Sequence, residues 1–178
     1  MRPEHKGRLI ALADRLDVAS RRQHRPGLDR AERASDSWIG SIGPRIRGRV
    51  LEVGASGHAR RFGVPESVDV IDPWGRGPDC RFVGELSGGL LPVGAYDLAL
   101  ATLVLDVDDD PASDVAALVS SVRSGGSVFV TAPAPAWDKE RVAALVGDRA
   151  LDVTTGVLSA DRAERDVVGA WMIIEKIA

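Results

Sequence analysis

Cysteine is almost missing. Cys80 is the single one in 178 residues, which excludes an internal disulfide and leaves no cysteine-based metal-ligand spacing. Aromatic residues make up only 4% of the chain, so the core must be aliphatic, as in a parallel sheet covered by helices. Histidine occurs at positions 5, 24 and 58 alone. No apolar run reaches the length of a membrane span. The opening Met1-Arg2-Pro3-Glu4-His5-Lys6 lacks the apolar stretch of a signal peptide. The expectation is a cytoplasmic protein without membrane contact. Internal repeats and low-complexity tracts are also lacking.

What is present is the composition of an ordinary globular domain, 44% hydrophobic and 28% charged, with enough residues for one proper core. The net charge of -3 conceals an asymmetry. Residues 1–49 carry 12 Lys/Arg against 6 Asp/Glu, and residues 50–178 carry 11 against 20. A basic leader could attract an anionic substrate or nucleic acid, or dock on its own acidic body. No aromatic platform supports nucleic acid, so a small-molecule partner is expected.

Helical spacing marks residues 9–16, and a second helix is expected from about Leu28 towards Ile42, ended by Gly43-Pro44. From Arg49 the pattern changes to short β-branched runs: Arg49–Val53, Val68–Asp72, Cys80–Val83, Tyr96–Ala101 and Ser127–Thr131. Residues 150–157 and 167–177 suggest two more strands that pair at one sheet edge. Helices are expected over Ala112–Arg123 and Trp137–Val146. Strands alternating with helices predict an α/β fold, a Rossmann-like, mostly parallel seven-stranded sheet with helices on both faces. The expected division is a helical leader or lid over 1–47 and the Rossmann-like domain over 48–178. Only seven residues separate Asp72 from Cys80, too few for the usual crossover helix, so a loop should replace it.

In such sheets ligands bind beyond the carboxyl ends of the strands, where strand order reverses. After the first strand comes Glu52-Val53-Gly54-Ala55-Ser56-Gly57-His58, whose small residues let a ligand approach the backbone. The dinucleotide spacing G-x-G-x-x-G would need glycine at Ser56 and Ala59; an ordinary strand-to-helix turn is the plainer reading. Asp72 ends the second strand, 18 residues after Gly54, where a carboxylate can accept both hydroxyls of a ribose. Pro73 and Trp74 offer apolar surface for an adenine. Glu85 and the Leu86 backbone could read its edge.

The order Arg49-Val-Leu-Glu-Val-Gly54, Val70-Ile-Asp72, Val83-Gly-Glu-Leu86, Tyr96-Asp-Leu-Ala-Leu-Ala-Thr102 and Ser124-Gly-Gly-Ser-Val-Phe-Val-Thr-Ala-Pro133 resembles the class I S-adenosylmethionine-dependent methyltransferases. It is most similar to their small type 11-like domains, in which Arg60-Arg61-Phe62-Gly63 has a counterpart. The resemblance covers residues 48–135 well and the remainder loosely. It implies S-adenosyl-L-methionine as cofactor. Glu52 would face its amino group, directly or through water, with Gly54, Ala55 and Ser56 passing beneath. Asp72 would bind the ribose and Pro73 flank the adenine. Glu85 and Leu86 would read its edge, and Thr102 would lie near the methionine portion. The chain departs from the family pattern at Ser56 and His58, which stand at glycine places, at Glu85 where aspartate is usual, and at Ser124 where proline is usual.

Two further features have competing readings. Asp106-Val107-Asp108-Asp109-Asp110 could hold Mg²⁺, but a capping aspartate before Pro111 and acids at a helix start explain it more simply; no metal is expected. His58 could serve as a general base or merely sit in the first turn of a helix. The functional expectation is methyl transfer to a small molecule, with no catalytic residue assigned; His58 and Asp106 are the first to mutate. The alternative is a methyltransferase-like binding or partner subunit, which the altered glycine loop favours.

Overall fold

The computed structural model describes residues 28–105, 111–133, 151–160 and 166–177. Helix α1 (Leu28–Ile42) leads through a 3₁₀ turn (Gly43–Arg45) into β1 (Arg47–Val53). The short helix α2 (His58–Phe62), β2 (Val64–Ile71) and β3 (Cys80–Phe82) follow. Then come β4 (Tyr96–Thr102), α3 (Pro111–Ser121), β5 (Val122–Pro133), β6 (Leu151–Ser159) and β7 (Val167–Lys176). The seven strands form one sheet in the order β3-β2-β1-β4-β5-β7-β6. The first five are parallel to their neighbours, and β7 runs antiparallel to both β5 and β6. Strand order reverses between β1 and β4, and in sheets of this kind ligands bind beyond the carboxyl ends of the strands at such a point.

Alternation along the strands divides the core in two. Leu51, Val53, Ala99, Ala101, Val128 and Val130 face α3, where Val115, Leu118 and Val119 meet them. Val50, Leu98, Leu100, Phe129 and Ile173 face the other way, onto Ile39 of α1 and Ala59 of α2. Both faces are therefore covered, and the central strands are rich in apolar residues on both faces for that reason. Four of the scarce aromatics, Trp38, Phe62, Phe129 and Trp171, lie in the cluster on the α1 face. Trp38 stacks on Trp171 at 5.3 Å between centroids and meets Phe129 edge-on at 6.3 Å. The Arg45 guanidinium lies 5.0 Å from the Phe129 ring centre.

The α1 span, the seven strands and the antiparallel final pair match the sequence reading. Boundaries shift in most elements, and three of the shifts are the largest or have a visible cause. Strand β2 begins at Val64, because Gly63 ends α2 and the Val64 N–H at once bonds the Ile46 carbonyl, at 2.9 Å. Helix α3 stops at Ser121, not Arg123. Val122 is already paired with Tyr96 of β4, and Arg123–Gly126 forms an irregularity before the ladder resumes at Ser127. Strand β5 is correspondingly longer than Ser127–Thr131. Residues 72–79 contain turns and no helix, so the short link was read correctly. The helices expected over 9–16 and 137–146 lie outside the described residues. No helix among the described residues is long and apolar enough to cross a membrane.

Phe129 is 1% exposed and touches both the sheet and the aromatic cluster. Phe129→Ala is expected to lower unfolding stability by about 3–5 kcal/mol in urea denaturation. A loss below about 1 kcal/mol would show that this face is not close-packed.

Candidate functional site

The candidate residues among those described, Glu52 to His58, Asp72, Pro73, Glu85, Leu86 and Thr102, lie at or just beyond the carboxyl ends of four adjoining strands, β3-β2-β1-β4. The construction starts from Glu52 near the end of β1, 1% exposed. A buried carboxylate must be saturated with donors, and here three groups of the following loop supply them. One oxygen accepts from the Ser56 hydroxyl at 2.5 Å and the His58 N–H at 2.8 Å. The other accepts from the Ala59 N–H at 3.2 Å. The backbone can turn tightly enough because Gly54 and Gly57 take φ of +78° and +72°, a region that costs side-chain-bearing residues strain. Gly57 is the N-cap of α2. Nothing lies within 4 Å of where a Cβ on Gly57 would stand, so the loop's outer side is open. Ala55 and Ser56 are exposed there.

Ser56 thus has a use at a glycine place: its hydroxyl closes the loop onto Glu52. The contact expected between Glu52 and an amino group would have to share a carboxylate already engaged by its own loop.

Asp72, just past β2, is fully buried. Its carboxylate accepts from the N–H groups of Trp74 (3.0 Å) and Arg76 (3.1 Å) and from the Arg76 guanidinium at 2.9–3.2 Å. Burial alone would push its pKa up; the Arg76 guanidinium and the two backbone donors outweigh that and hold it below the usual carboxylate value. The guanidinium also lies 4.5 Å over the Trp74 ring. Pro73 is exposed, as are Trp74 and, after β3, Val83. Glu85 points to solvent and opens a 3₁₀ turn in which Leu86 is buried.

At the end of β4, Thr102 is 8% exposed and its hydroxyl has no hydrogen-bond partner. Leu103 follows at φ +54°, the single non-glycine with positive φ among the described residues. On the same side of the sheet, Ser35 of α1 bonds Thr131, the residue paired with Thr102 on β5, at 2.9 Å. His58 joins the helices: its Nε2 lies 3.0 Å from the Asp36 carboxylate of α1, which also takes Arg61 at 2.9 Å. The His58 Nδ1 is buried without a partner. Asp106 and its neighbours lie outside the described residues, among which no cluster of metal-ligating side chains occurs.

Sequence reasoning missed Arg76, Asp36 and the part played by Ser56. The first had a signal: Gly75 and Gly77 flank Arg76 four residues after an aspartate, which is turn chemistry.

No family model matches the chain, and no curated protein matches it. Solved structures do. The 1,6-didemethyltoxoflavin-N1-methyltransferase of Burkholderia thailandensis, with 1,6-didemethyltoxoflavin and S-adenosylhomocysteine bound, is 16% identical with a TM-score of 0.62. That match covers 100% of this chain and 92% of the other. An S-adenosylmethionine-dependent methyltransferase from Mesorhizobium loti is 13% identical, with a TM-score of 0.63 over 80% of this chain and 98% of that one. The chain has the class I methyltransferase fold. A third structure with this fold is a complex between the Haloferax volcanii Trm112 methyltransferase activator and the protein named as its methyltransferase. It is 11% identical, with a TM-score of 0.66 over 82% of this chain and 90% of that chain.

Two predictions come from these carboxylates. Glu52→Gln puts an amide nitrogen against N–H donors and should lower stability by about 2 kcal/mol, read as a lower urea midpoint. An unchanged midpoint would remove Glu52 from its organising role. Asp72 has a depressed pKa, so its stabilisation is complete above the unfolded value of about 3.9 and is lost as pH falls through the lower folded value. Asp72→Asn should therefore lose less stability than the parent between about pH 4 and pH 2 in acid titrations of unfolding. Parallel acid limbs would contradict the assignment.

Proposed function

We propose that the chain is an S-adenosyl-L-methionine-dependent methyltransferase acting on a small-molecule acceptor. The observation that carries this is the loop between β1 and α2. A buried glutamate holds it in place, it is open along Ala55–Gly57, and it faces the switch point of a class I methyltransferase fold. The chain's own residues fit a nucleoside thioether at most positions. Ala55 and Ser56 are accessible for the methionine part, and the orphaned Thr102 hydroxyl waits for a donor nearby. Pro73, Trp74 and Val83 give an apolar rim for adenine, with Glu85 exposed to accept from an amino group. Asp72 fits only if Arg76 moves.

When bound, the cofactor supplies an activated methyl group with its own driving force. The protein then has to align the acceptor and keep water out. A solved structure of this fold with S-adenosylhomocysteine and 1,6-didemethyltoxoflavin bound supports this reading. A second reading, a partner subunit with this fold that does not take up the cofactor, is favoured by one observation: the Arg76 clasp already satisfies Asp72.

Calorimetric titration with S-adenosylhomocysteine decides between them. Saturable binding that Ala55→Trp abolishes, in a variant that still folds, is the expected result. If neither the parent nor Arg76→Ala binds at millimolar ligand, the proposal is overturned.

A further inference from the structure

Asp72 is placed where a ribose should be recognised, yet no part of it reaches solvent. The cause is local. The segment from Pro73 to Asp79 folds back over the β2 tip and brings Arg76 onto the carboxylate. One ion pair outside the clasp anchors that segment, and two of its glycines run close to neighbouring side chains. Asp79 accepts a forked pair from the Arg60 guanidinium of α2, at 2.8 and 2.9 Å. A Cβ placed on Gly77, at φ +88°, would meet the Ala55 side chain at 3.4 Å. One on Gly75, at φ +68°, would meet Val83 at 3.2 Å. The strap therefore spans from the β1 loop to the residue after β3, across the ground a nucleoside would occupy.

The clasp has the chemistry of the ligand it excludes. A ribose presents two neighbouring O–H donors to a carboxylate, and a guanidinium presents two parallel N–H donors in a fork. Both satisfy the same acceptor in the same way, so they compete. The competition has room to be settled without unfolding. The Arg76 side chain is 38% exposed, and its guanidinium lies over the exposed Trp74 ring. Rotation about the arginine side chain withdraws the guanidinium donors and strips Oδ2 of Asp72 of both its bonds, while the Trp74 and Arg76 N–H groups stay on Oδ1.

We infer that Arg76 is an internal substitute for the nucleoside sugar: it holds Asp72 in the unliganded chain, and ligand affinity is set by its displacement. This rests on the reading of the site as a nucleoside-thioether site and adds a residue that determines its affinity. Trp74 and the glycines at 75 and 77 keep the substitute in place. Arg76 acts on binding through Asp72, so it is a positioning residue and takes no part in chemistry.

The test is calorimetric titration of the full chain with S-adenosylhomocysteine, comparing the parent, Arg76→Ala, Arg76→Lys and the double variant Arg76→Ala/Asp72→Asn. Arg76→Ala should bind at least about tenfold more tightly than the parent. Arg76→Lys should fall between, since an ammonium cannot fork across two oxygens. The double variant should lose the gain, because the carboxylate is what the sugar needs. A purely structural role for Arg76 would loosen the strap and weaken binding. Equal or weaker binding by Arg76→Ala, with the parent binding measurably, overturns the inference and leaves the proposed function standing. Binding by neither overturns both.

Discussion

The candidate site depends on one buried anion. Glu52 sits where β1 ends, out of contact with water, and a carboxylate there is tolerable only if donors surround it. The chain meets that demand with the Ser56 hydroxyl and the N–H groups of His58 and Ala59. The same bonds fix the loop's path, start α2 and leave the outer side of the loop open. Removing the charge would remove the reason for the loop's shape. The glycines at 54 and 57 permit the turn, but the glutamate selects it.

From that point the fold builds outward. Helix α2 carries His58 and Arg61, which reach Asp36 of α1, so the loop's position is linked to the helix covering the neighbouring strands. Arg60 of the same helix reaches Asp79 and fixes the far end of the strap after β2. The arginines of the Arg60–Asp79 and Arg61–Asp36 pairs are exposed, and each pair contributes little to stability by itself. Their role is geometric. They place three segments from different parts of the chain around the carboxyl ends of β1 and β2, beside the reversal of strand order between β1 and β4.

Much of this was legible in the sequence because both signals are local. Apolar runs such as Arg49–Val53 and Tyr96–Ala101 can only be strands buried on both faces, and their alternation with helical segments fixes the parallel sheet. Glu52, Asp72 and Thr102 were identifiable as strand-end residues, and strand ends in this architecture face the ligand side. What was not legible depends on contacts across the chain or on side-chain direction. Gly75 and Gly77 mark a turn after Asp72, but they do not say that its carboxylate pairs with Arg76 instead of facing a cavity, and no local signal says that Ser56 turns inward to Glu52. The helix over 111–121 was extended by two residues because Val122 suits either state. Its pairing with Tyr96, a tertiary contact, decides for strand.

The most direct measurement is a crystal structure of the chain grown with S-adenosylhomocysteine. The account predicts the adenosyl group across the tips of β1, β2 and β3, its sugar hydroxyls on Asp72, Arg76 turned away, and Glu52 still bonded to Ser56 and His58. A ligand bound elsewhere, or one seated there while Arg76 remains on Asp72, would contradict it.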